Sequence, residues 1–202
     1  MSKVILNISM SLDGFIAGLN DNQEQPLGAQ AEALHHWMFS GDVPSRFNPF
    51  FQLSQTDRDL FDAAAEKTGA MIVGRRTYNI VNGWGGSHPF NNVPVFVVTH
   101  NKPENPPKGA TPFYFITDGV EEAVKQAKKA AGGRDVSVGT ASIAQQCISQ
   151  GLLDGLDLHI APVILGKGIR LFEQLGEQPV ALKSTEAIEG TGVIHVKYEI
   201  IK

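Results

Sequence analysis

Two adjacent arginines follow an apolar run in the segment AMIVGRRTYNIV, residues 70–81. The apolar run ends at Gly74, and a new helical turn is predicted to begin with Arg75, Arg76 and Thr77. The first backbone N–H groups of a helix have no partner within the helix, so they attract anions. Guanidinium groups bind phosphate bidentately and strengthen such a site. The segment therefore predicts an anion-binding site; the alternative is that one arginine only pairs with a surface carboxylate.

A second passage from strand to helix occurs at GTASIAQQCISQ, residues 139–150, which follows the short strand DVSV. Gly139 leads into Thr140, Ala141 and Ser142, where the helix is predicted to begin. This is a second candidate anion site. The hydroxyls of Thr140 and Ser142 are predicted to cap the helix and bond a phosphate, and the alternative is capping without a ligand.

Alternating strands and helices are predicted to position these two segments. The predicted strands are KVILNIS, AMIV, VPVFVVT (93–99), FYFI (113–116), DVSV and DLHIAPVIL, followed by a hairpin of VALKSTEAI and VIHVKYEII. The pattern predicts an α/β three-layer sandwich with a mostly parallel central sheet and antiparallel C-terminal strands. Ligands of such sheets bind at the carboxyl ends of the strands, where Gly74 and Gly139 lie.

Capping residues predict where the helices begin and end. Thr56 and Asp57 are predicted to cap the helix DRDLFDAAAEKT, which would end at Gly69. Asp118 and Glu121 would form a capping box for VEEAVKQAKKAA. A shorter helix is predicted at AEALHHWMF.

Composition limits the classes of function. The 202 residues, 42% hydrophobic and 19% charged, are expected to form a single domain over residues 1–202. The net charge of −4 argues against binding of nucleic acid or of an anionic membrane surface. No apolar run reaches the roughly 18 residues of a membrane helix. Because MSKVILNISMSLDG lacks the apolar core of a secretory signal, a cytoplasmic protein is expected.

Cysteine and histidine usage predicts neither a metal site nor a reactive thiol. The single cysteine, Cys147, sits among apolar residues on a predicted helix face and is expected to be a buried thiol. The six histidines are scattered, and the adjacent His35 and His36 do not face the same way on a helix. The chain also lacks the G-x-G-x-x-G and G-x-x-x-x-G-K-[ST] fingerprints, so any dinucleotide is bound by another arrangement.

Six blocks of sequence carry a family resemblance. They are SLDGFIA (11–17), VGRRTYNIVNGW (73–84), PVFVVTHNKP (94–103), the passage at 136–151, GLLDGLDLHIAPVILGKGIRLFE (151–173) and the closing hairpin. In this order they resemble the dihydrofolate reductase-like superfamily, and within it they are most similar to the reductase domain of the bifunctional riboflavin-biosynthesis deaminase-reductase. The resemblance spans nearly the whole chain and implies a reductase that uses NADPH.

The resemblance implies roles for several residues. It sets the arginine-threonine turn against the cofactor phosphates, which agrees with the arginine pair because the 2′-phosphate of NADP carries about two charges. It sets the adenosine end beside Thr99, His100 and Asn101. The residues implied to line the nicotinamide and the substrate near the first strand are Ser9, Asp13, Phe15 and Ile16. Asp13 has the alternative role of stabilising the turn.

A wall of the substrate site is expected on the helix AEALHHWMF. His36, Trp37 and Phe39 would face a flat ring there, unless the two aromatic residues belong to the core. The loop GWGGSHPF, residues 83–90, is expected to close over the cofactor, unless Trp84 pins it to the core.

The sequence departs from the family pattern in two places. Relatives commonly have two consecutive glycines after the DVSV strand, whereas here Thr140 follows Gly139, and threonine cannot adopt every conformation of glycine. The helix ALHHWMF has no counterpart of the acidic residue that dihydrofolate reductases use, which argues against folate. A riboflavin-type reductase would act on a phosphorylated pyrimidine, for whose phosphate Lys167 and Arg170 are candidates unless they are solvated surface cations.

The predicted function is NADPH-dependent hydride transfer to a small heterocyclic substrate, either a pyrimidine like 5-amino-6-(5-phosphoribosylamino)uracil, a pterin or a dihydrofolate-like ring. One alternative is a nucleotide- or flavin-binding module of the same fold without turnover, and another is a structural or regulatory homodimer with an empty cleft. A homodimer is expected through the DLHIAPVIL and VIHVKYEII strands, which would expose an apolar edge or face in a monomer. The alternative is that helices of the same chain cover these strands.

Overall fold

An eight-stranded sheet runs through the middle of the protein, of which the computed structural model describes residues 2–176 and 178–202. The strands, in chain order, are β1 (Val4–Ser11), β2 (Phe15–Ala17), β3 (Val43–Pro44), β4 (Gln52–Leu53), β5 (Thr68–Gly74), β6 (Val95–Val98), β7 (Phe113–Ile116), β8 (Asp135–Val138), β9 (Gly155–Ala161), β10 (Ile169–Arg170), β11 (Leu182–Gly190) and β12 (Val193–Ile200). The helices are α1 (Gln55–Lys67), α2 (Arg75–Ile80), α3 (Val120–Ala131) and α4 (Ala141–Ser149), with 3₁₀ helices at Glu32–Phe39 and Asn82–Gly86.

The order of strands in this sheet is β11-β12-β9-β1-β8-β5-β6-β7. Neighbours from β9 to β7 are parallel, whereas β12 is antiparallel to both β9 and β11. Two small pairs, β2 with β10 and β3 with β4, lie outside the main sheet. The predicted fold class, an α/β sandwich with a mostly parallel sheet and antiparallel C-terminal strands, is confirmed.

One face of the sheet forms the main apolar core with α3 and α4. The buried residues of α3 recur at helical spacing and are Val120, Ala123, Val124, Ala127 and Ala131. They pack with strand residues that include Val4, Leu6, Ile72, Val136 and Val138. Full burial of each large aliphatic side chain contributes roughly 1.5–3 kcal/mol. This face is therefore the stable support of the sheet.

The opposite face of the sheet carries α1, α2 and the first 3₁₀ helix, and its centre is partly polar. Side chains alternate along a strand. Val4 and Leu6 of β1 accordingly belong to the core beneath α3 and α4, whereas the Ser9 hydroxyl contacts Trp37 of the 3₁₀ helix. Asn7 points the same way as Ser9 and contacts Asp157. The polar residues leave room on this face that a fully apolar core would fill.

The predicted helix caps are wrong in two places. Helix α1 begins at Gln55, and its N-cap is Ser54, whose hydroxyl oxygen accepts the Asp57 N–H at 3.3 Å. The helix ends at Lys67, so Gly69 lies inside β5 instead of ending the helix. The N-cap of α3 is Gly119, which has φ of 90°, and the predicted capping box does not form because no described side chain caps this helix. The strand predicted at 93–99 is shorter and covers β6 alone.

Thr140 ties the carboxyl ends of β5 and β8 together. The N–H of Gly74 donates to Thr140 Oγ1 at 3.3 Å, and Thr140 is 5% exposed. Its φ of −141° and ψ of 145° are extended values that any residue adopts, so the departure from a second glycine does not strain the turn. The predicted capping of α4 by Thr140 or Ser142 is wrong, since no described side chain caps that helix.

Replacing Thr140 with Val, which keeps the shape and removes the hydroxyl, is expected to lower the free energy of unfolding by about 1 kcal/mol. Urea unfolding measures the change. The control Ser142→Ala alters an exposed hydroxyl two residues away and is expected to change stability by less than about 0.5 kcal/mol. Equal stability of Thr140→Val and the unmodified protein would contradict a stabilising role for the hydrogen bond between Gly74 and Thr140.

The loop after α2 is held by a buried histidine. His88 is 4% exposed and packs edge to face against Trp84 with ring centroids 4.3 Å apart. The backbone N–H of His88 donates to Thr111 Oγ1 at 2.7 Å, and the backbone N–H of Phe90 donates to His88 Nδ1 at 3.1 Å. The ring is therefore neutral in this arrangement, and burial lowers the pKa of His88 to about 4. Trp84 pins the loop to the body of the protein.

Stability is expected to fall as the pH drops from about 6.5, the pKa of an unfolded histidine, toward the folded-state value for His88. In that window the unfolded chain binds a proton at His88 that the folded chain does not. His88 therefore lowers the free energy of unfolding by up to about 1.4 kcal/mol for each unit by which the pH falls. Above that window the free energy of unfolding no longer changes through His88. Urea unfolding at several pH values should give a free energy of unfolding that depends less steeply on pH for His88→Asn than for the exposed control His36→Asn. An identical slope in the two variants would rule out His88 as a source of the acid sensitivity.

Candidate functional site

A cavity of about 400 Å³ lies on the polar face of the sheet, beneath α1 and the first 3₁₀ helix. It is lined from the sheet by residues of β1, β5, β8 and β9, and its apolar walls include Trp37, Met38, Phe51, Phe61, Met71, Val73 and Phe90. This volume suits a flat ring of one or two cycles, because small-molecule sites commonly occupy 300–1,000 Å³. The cavity extends to Gly139, at the carboxyl end of β8.

The polar groups of the cavity are few, and they are amides, hydroxyls and imidazoles. They include Asn7, Ser9, His35, Ser137 and His159. Of the described residues that line the cavity, none is Asp, Glu, Lys or Arg. A ligand in the cavity is therefore recognised by apolar contact and by hydrogen bonds, not by ion pairing.

The predicted substrate wall is only partly correct. Trp37 lines the cavity but is 1% exposed, and its Nε1–H donates to Ser9 Oγ at 3.0 Å, so both residues also belong to the packed interior. Phe39 reaches the rim, 49% exposed, with its ring centroid 5.3 Å from that of Phe50. Trp84 lines the cavity from the loop. His36 points to solvent and is absent from the lining, which corrects its predicted role.

His35, and not His36, faces the cavity. Burial lowers the pKa of His35 to about 4, and its Nδ1 is buried without a hydrogen-bond partner among the described residues. A buried polar atom without a partner is costly, and a ligand that donates or accepts a hydrogen bond there would remove the cost. Sequence reasoning recognised that the two histidines face different ways but chose the wrong one.

The turn after β1 does not reach the cavity. Asp13 accepts the Ser11 hydroxyl at 2.6 Å and the N–H groups of Leu165 and Gly166 at 3.1 and 2.7 Å. The Ser11 hydrogen bond, followed by the backbone bonds, lowers the pKa of Asp13 to about 2, so this carboxylate stabilises the turn instead of serving as an acid.

Phe15 and Ile16, in β2, are also outside the cavity lining. Phe15 is 4% exposed and lies 4.5 Å below the guanidinium of Arg170, and Ile16 packs against the main core. Arg170 further approaches Glu173 at 3.8 Å, while Lys167 is exposed. Arg170 is therefore a packed surface cation more than a free phosphate ligand.

The adjacent arginines Arg75 and Arg76 have different environments. Arg76 pairs bidentately with the Asp21 carboxylate, and this hydrogen bond raises the pKa of Arg76. Arg75 donates to Asn79 Oδ1 at 2.8 Å, to Thr99 Oγ1 at 3.1 Å and to the Asn101 carbonyl oxygen. Within the described residues Arg75 has no carboxylate partner, so it keeps an uncompensated charge beside the ends of β5 and β6.

The remaining candidates for phosphate binding meet at the same edge of the sheet. A Cβ built at Gly74 would lie 3.3 Å from Ser142 Oγ, and a Cβ at Gly139 would meet nothing within 4 Å. Helix α2 has only six residues, so the positive charge at Gly74 comes mainly from Arg75 and less from the helix. Helix α4 is longer, and its first N–H groups, at Ala141 and Ser142, are not capped by any described side chain.

The two other residues predicted to contact the cofactor lie apart. Thr77 lines the cavity from α2, and His100 is exposed beside Asn101.

Two expectations concern groups outside the cavity. Cys147 is fully buried, and burial raises its pKa to about 12, which confirms an unreactive thiol. In the part of the chain that the structure describes, no cluster of three or more His, Cys, Asp or Glu side chains is arranged to hold a metal ion. Over the same ranges, no helix has the length and hydrophobicity needed to cross a bilayer.

Sequence reasoning missed the polar residues in the middle of the strands. Asn7, Ser137 and His159 lie at positions that alternate with buried apolar residues, a pattern that could have marked a functional face. Two further buried groups, Asp57 and His195, lie behind His159 and are linked to it by hydrogen bonds. Their partnership gives no signal in the sequence, since the residues are far apart along the chain.

The chain is similar to proteins of bacterial and fungal origin. It is 28% identical over 213 residues to the uncharacterized protein YyaP of Bacillus subtilis (strain 168), covering 97% of this chain and 94% of that protein. The structure of a putative riboflavin biosynthesis protein from Shewanella sp. PV-4 superimposes with a TM-score of 0.72 at 21% identity, over 100% of both chains. The riboflavin biosynthesis reductase Rib7 of Saccharomyces cerevisiae gives a TM-score of 0.61 at 13% identity, over 99% of this chain and 90% of that chain.

The family model described as the RibD C-terminal domain matches residues 2–195, nearly the whole chain. The strand order and the helices on both faces agree with the dihydrofolate reductase-like fold of the structural neighbours. The chain therefore belongs to the RibD C-terminal domain family, a family of reductase-like proteins.

Proposed function

We propose that this protein is an NADPH-dependent reductase that transfers a hydride to a small, flat heterocycle such as a pyrimidine, a pterin or a dihydrofolate-like ring. The observation that carries the proposal is the meeting of two environments at one edge of the sheet. The uncompensated charge of Arg75 lies at the end of β5, and the apolar cavity extends to Gly139, at the end of the neighbouring strand β8. A cofactor with an anionic end and a flat reactive end fits this edge.

The residues present fit NADPH. Arg75 would hold the 2′-phosphate, with the Thr99 hydroxyl and the Asn101 backbone beside it. The uncapped N–H groups at the start of α4 and the open space at Gly139 would accept the pyrophosphate. When bound, NADPH supplies the hydride. The chain itself binds and orients the two rings and excludes water through the walls of the cavity.

The lining of the cavity supports an uncharged ring as substrate. A phosphate group would be poorly served inside the cavity, because none of its described lining residues is cationic. The phosphate of a phosphorylated substrate would have to lie outside the cavity. The lack of an acidic lining residue also argues against a ring that binds in a protonated form beside a carboxylate.

A binding module without turnover is the second candidate. It is favoured by one observation, that the described lining residues include no carboxylic acid or lysine to supply a proton. Oxidation of NADPH by a panel of uracils, pterins and dihydrofolate separates the two functions, since a binding module would bind NADPH without oxidising it. A cytoplasmic location for either remains a prediction.

Arg75→Ala is expected to weaken NADPH binding about 10- to 100-fold and to leave NADH binding unchanged. The reason is that a hydrogen bond to a charged group contributes about 1.5–3 kcal/mol, and about 1.4 kcal/mol corresponds to a factor of ten. Calorimetry with each nucleotide measures the two dissociation constants. The matched control is Arg76→Ala, whose arginine is already occupied by Asp21, and it should retain most of the NADPH affinity. Equal affinity of the unmodified protein for NADH and NADPH would refute the assignment of Arg75.

A homodimer also remains our proposal, now with a different surface. Strand β9 lies between β1 and β12, so the DLHIAPVIL segment has no free strand edge for such a contact. The edge strand is β11, and the exposed apolar residues of this region include Leu182, Ile194 and Ile201. Light scattering should give about twice the mass of one chain, 21.8 kDa, whereas a mass near that of one chain would contradict the dimer.

A further inference from the structure

A chain of hydrogen bonds runs through the interior from α1 to the cavity. His195 Nε2 contacts Asp57 Oδ1 at 2.9 Å, and His195 Nδ1 contacts His159 Nδ1 at 2.7 Å. His159 Nε2 in turn lies 3.4 Å from Asn7 Oδ1, and Asn7 Nδ2 lies 3.3 Å from Asp157 Oδ2. His159 and Asn7 line the cavity, whereas Asp57 and His195 do not.

The fold aligns these groups and shields them from water. His195 of β12 lies directly opposite His159 of β9 in the sheet, and Ser9 of β1 lies opposite His159 on its other side. Asp57 enters from the first turn of α1. Relative exposure is 0% for Asp57, 2% for His195 and 7% for His159. Trp37 packs against both imidazoles, with ring centroids 4.8 and 5.1 Å away.

The pairing of donors and acceptors fixes where the hydrogens lie. Asn7 presents its carbonyl oxygen to His159 and its amide to Asp157, so His159 Nε2 must carry a hydrogen and donate it. A neutral His159 then accepts at Nδ1, which requires His195 Nδ1 to donate. His195 Nε2 donates to the Asp57 carboxylate. With the Asn7 amide in this orientation, His195 carries hydrogens on both nitrogens, and its Nε2–H faces the Asp57 carboxylate.

We propose that His159 is the proton donor of the cavity, and that His195 and Asp57 hold the proton that replaces the one His159 gives away. The inference rests on the proposed reductase function. The described lining residues include no carboxylic acid or lysine that could donate a proton. In this proposal the proton comes from His195, which does not line the cavity but is hydrogen-bonded to His159, which does. His159 is the catalytic group in this arrangement, and His195 and Asp57 are positioning residues.

The proton transfer balances the hydride transfer. Hydride addition to a C=N or conjugated C=C bond of the ring leaves an electron pair on a ring nitrogen or on a conjugated oxygen. That pair takes the Nε2 hydrogen of His159, so a new N–H or O–H bond forms as the Nε2–H bond breaks. In the same step the hydrogen between the two imidazoles moves from His195 Nδ1 to His159 Nδ1, so His159 stays neutral and His195 becomes neutral beside Asp57. After the product leaves, water in the cavity returns a proton to His159 Nε2, and the bridging hydrogen moves back to His195 Nδ1.

The groups around His159 disfavour its doubly protonated form, so it is neutral before the transfer. His195 and Lys197 approach it from β12, and His35 approaches from the 3₁₀ helix. Burial, followed by these three groups, lowers the pKa of His159 to about 3. Asp157 lies on its own strand, and burial raises the pKa of that carboxyl. Asp57 is the anion that faces the pair from α1, and it contacts His195 instead of His159.

The first experiment needs neither NADPH nor a substrate. Nitrogen–proton correlation spectra of the ¹⁵N-labelled chain, recorded between about pH 6 and about pH 8 where free histidines titrate, report which ring nitrogens carry hydrogen. We expect His195 to be protonated on both nitrogens and His159 on Nε2 alone. Asp57→Asn should remove the second hydrogen from His195, whereas the control Asp59→Asn, an exposed carboxylate one half-turn away on α1, should not. A His195 with one protonated nitrogen in the unmodified protein overturns the inference.

The second experiment measures the role of His159 in turnover. His159→Gln keeps an N–H group near the position of Nε2 but cannot release a proton. With NADPH and the uracil, pterin and dihydrofolate panel, kcat should fall about 100-fold while KM changes little, as expected for loss of a general acid. The rate of Asp57→Asn should show a different dependence on pH from that of the unmodified protein. Unchanged kcat and an unchanged pH profile in both variants overturn the inference.

The two proposals fail in distinguishable ways. If the unmodified protein binds no NADPH and oxidises none with any member of the panel, the proposed reductase function is contradicted. The positions of the hydrogens on His159 and His195 are measured without the cofactor. A pattern other than the expected one therefore contradicts the proposed roles of His195 and Asp57, whatever the activity. A right pattern together with a loss of kcat in His159→Gln supports both.

Discussion

The buried carboxylate of Asp57 joins parts of the chain that are distant in sequence, and the site depends on it. It accepts the hydroxyls of Ser54 at 2.7 Å and Ser40 at 3.4 Å, the N–H of Thr191 at 3.1 Å and the Nε2–H of His195 at 2.9 Å. These groups belong to the start of α1, the end of the 3₁₀ helix, the hairpin turn and β12. An ionised group is tolerated without water only when its oxygens are satisfied in this way. Asp57 therefore ties the start of α1, the helix that covers the cavity, to the sheet.

The two faces of the sheet divide the work of stability and function. The face under α3 and α4 is apolar and closely packed, so it fixes the strands without help from polar groups. The other face gives up some of that packing to carry Asn7, Ser9, Ser137 and His159. Polar side chains there must be hydrogen-bonded to one another or to a ligand. The cavity is the space that remains because these residues cannot collapse into an apolar core.

The architecture was predictable because alternation of apolar strands and helices is local information. The meeting of Gly74, Arg75 and Gly139 at one edge of the sheet was predictable for the same reason, since each lies at or directly after the end of a strand. Partners that depend on the folded chain were not predictable. Asp21, which occupies Arg76, lies 55 residues earlier, and His195 lies 36 residues after His159. The capping role assigned to Asp57 failed for the same reason, because its carboxylate is used across the fold and not by its own helix alone.

The position of the tryptophans gives the protein a built-in optical signal. The chain has two tryptophans, Trp37 and Trp84, and both line the cavity. All of the indole fluorescence of the molecule therefore arises at the walls of the candidate site. Trp37 is in contact with the two imidazoles, and Trp84 lies on the loop that borders the cavity. Ligand entry, a change in the charge of the histidine pair and a movement of the loop can each alter the emission of unlabelled protein, without background from tryptophans elsewhere.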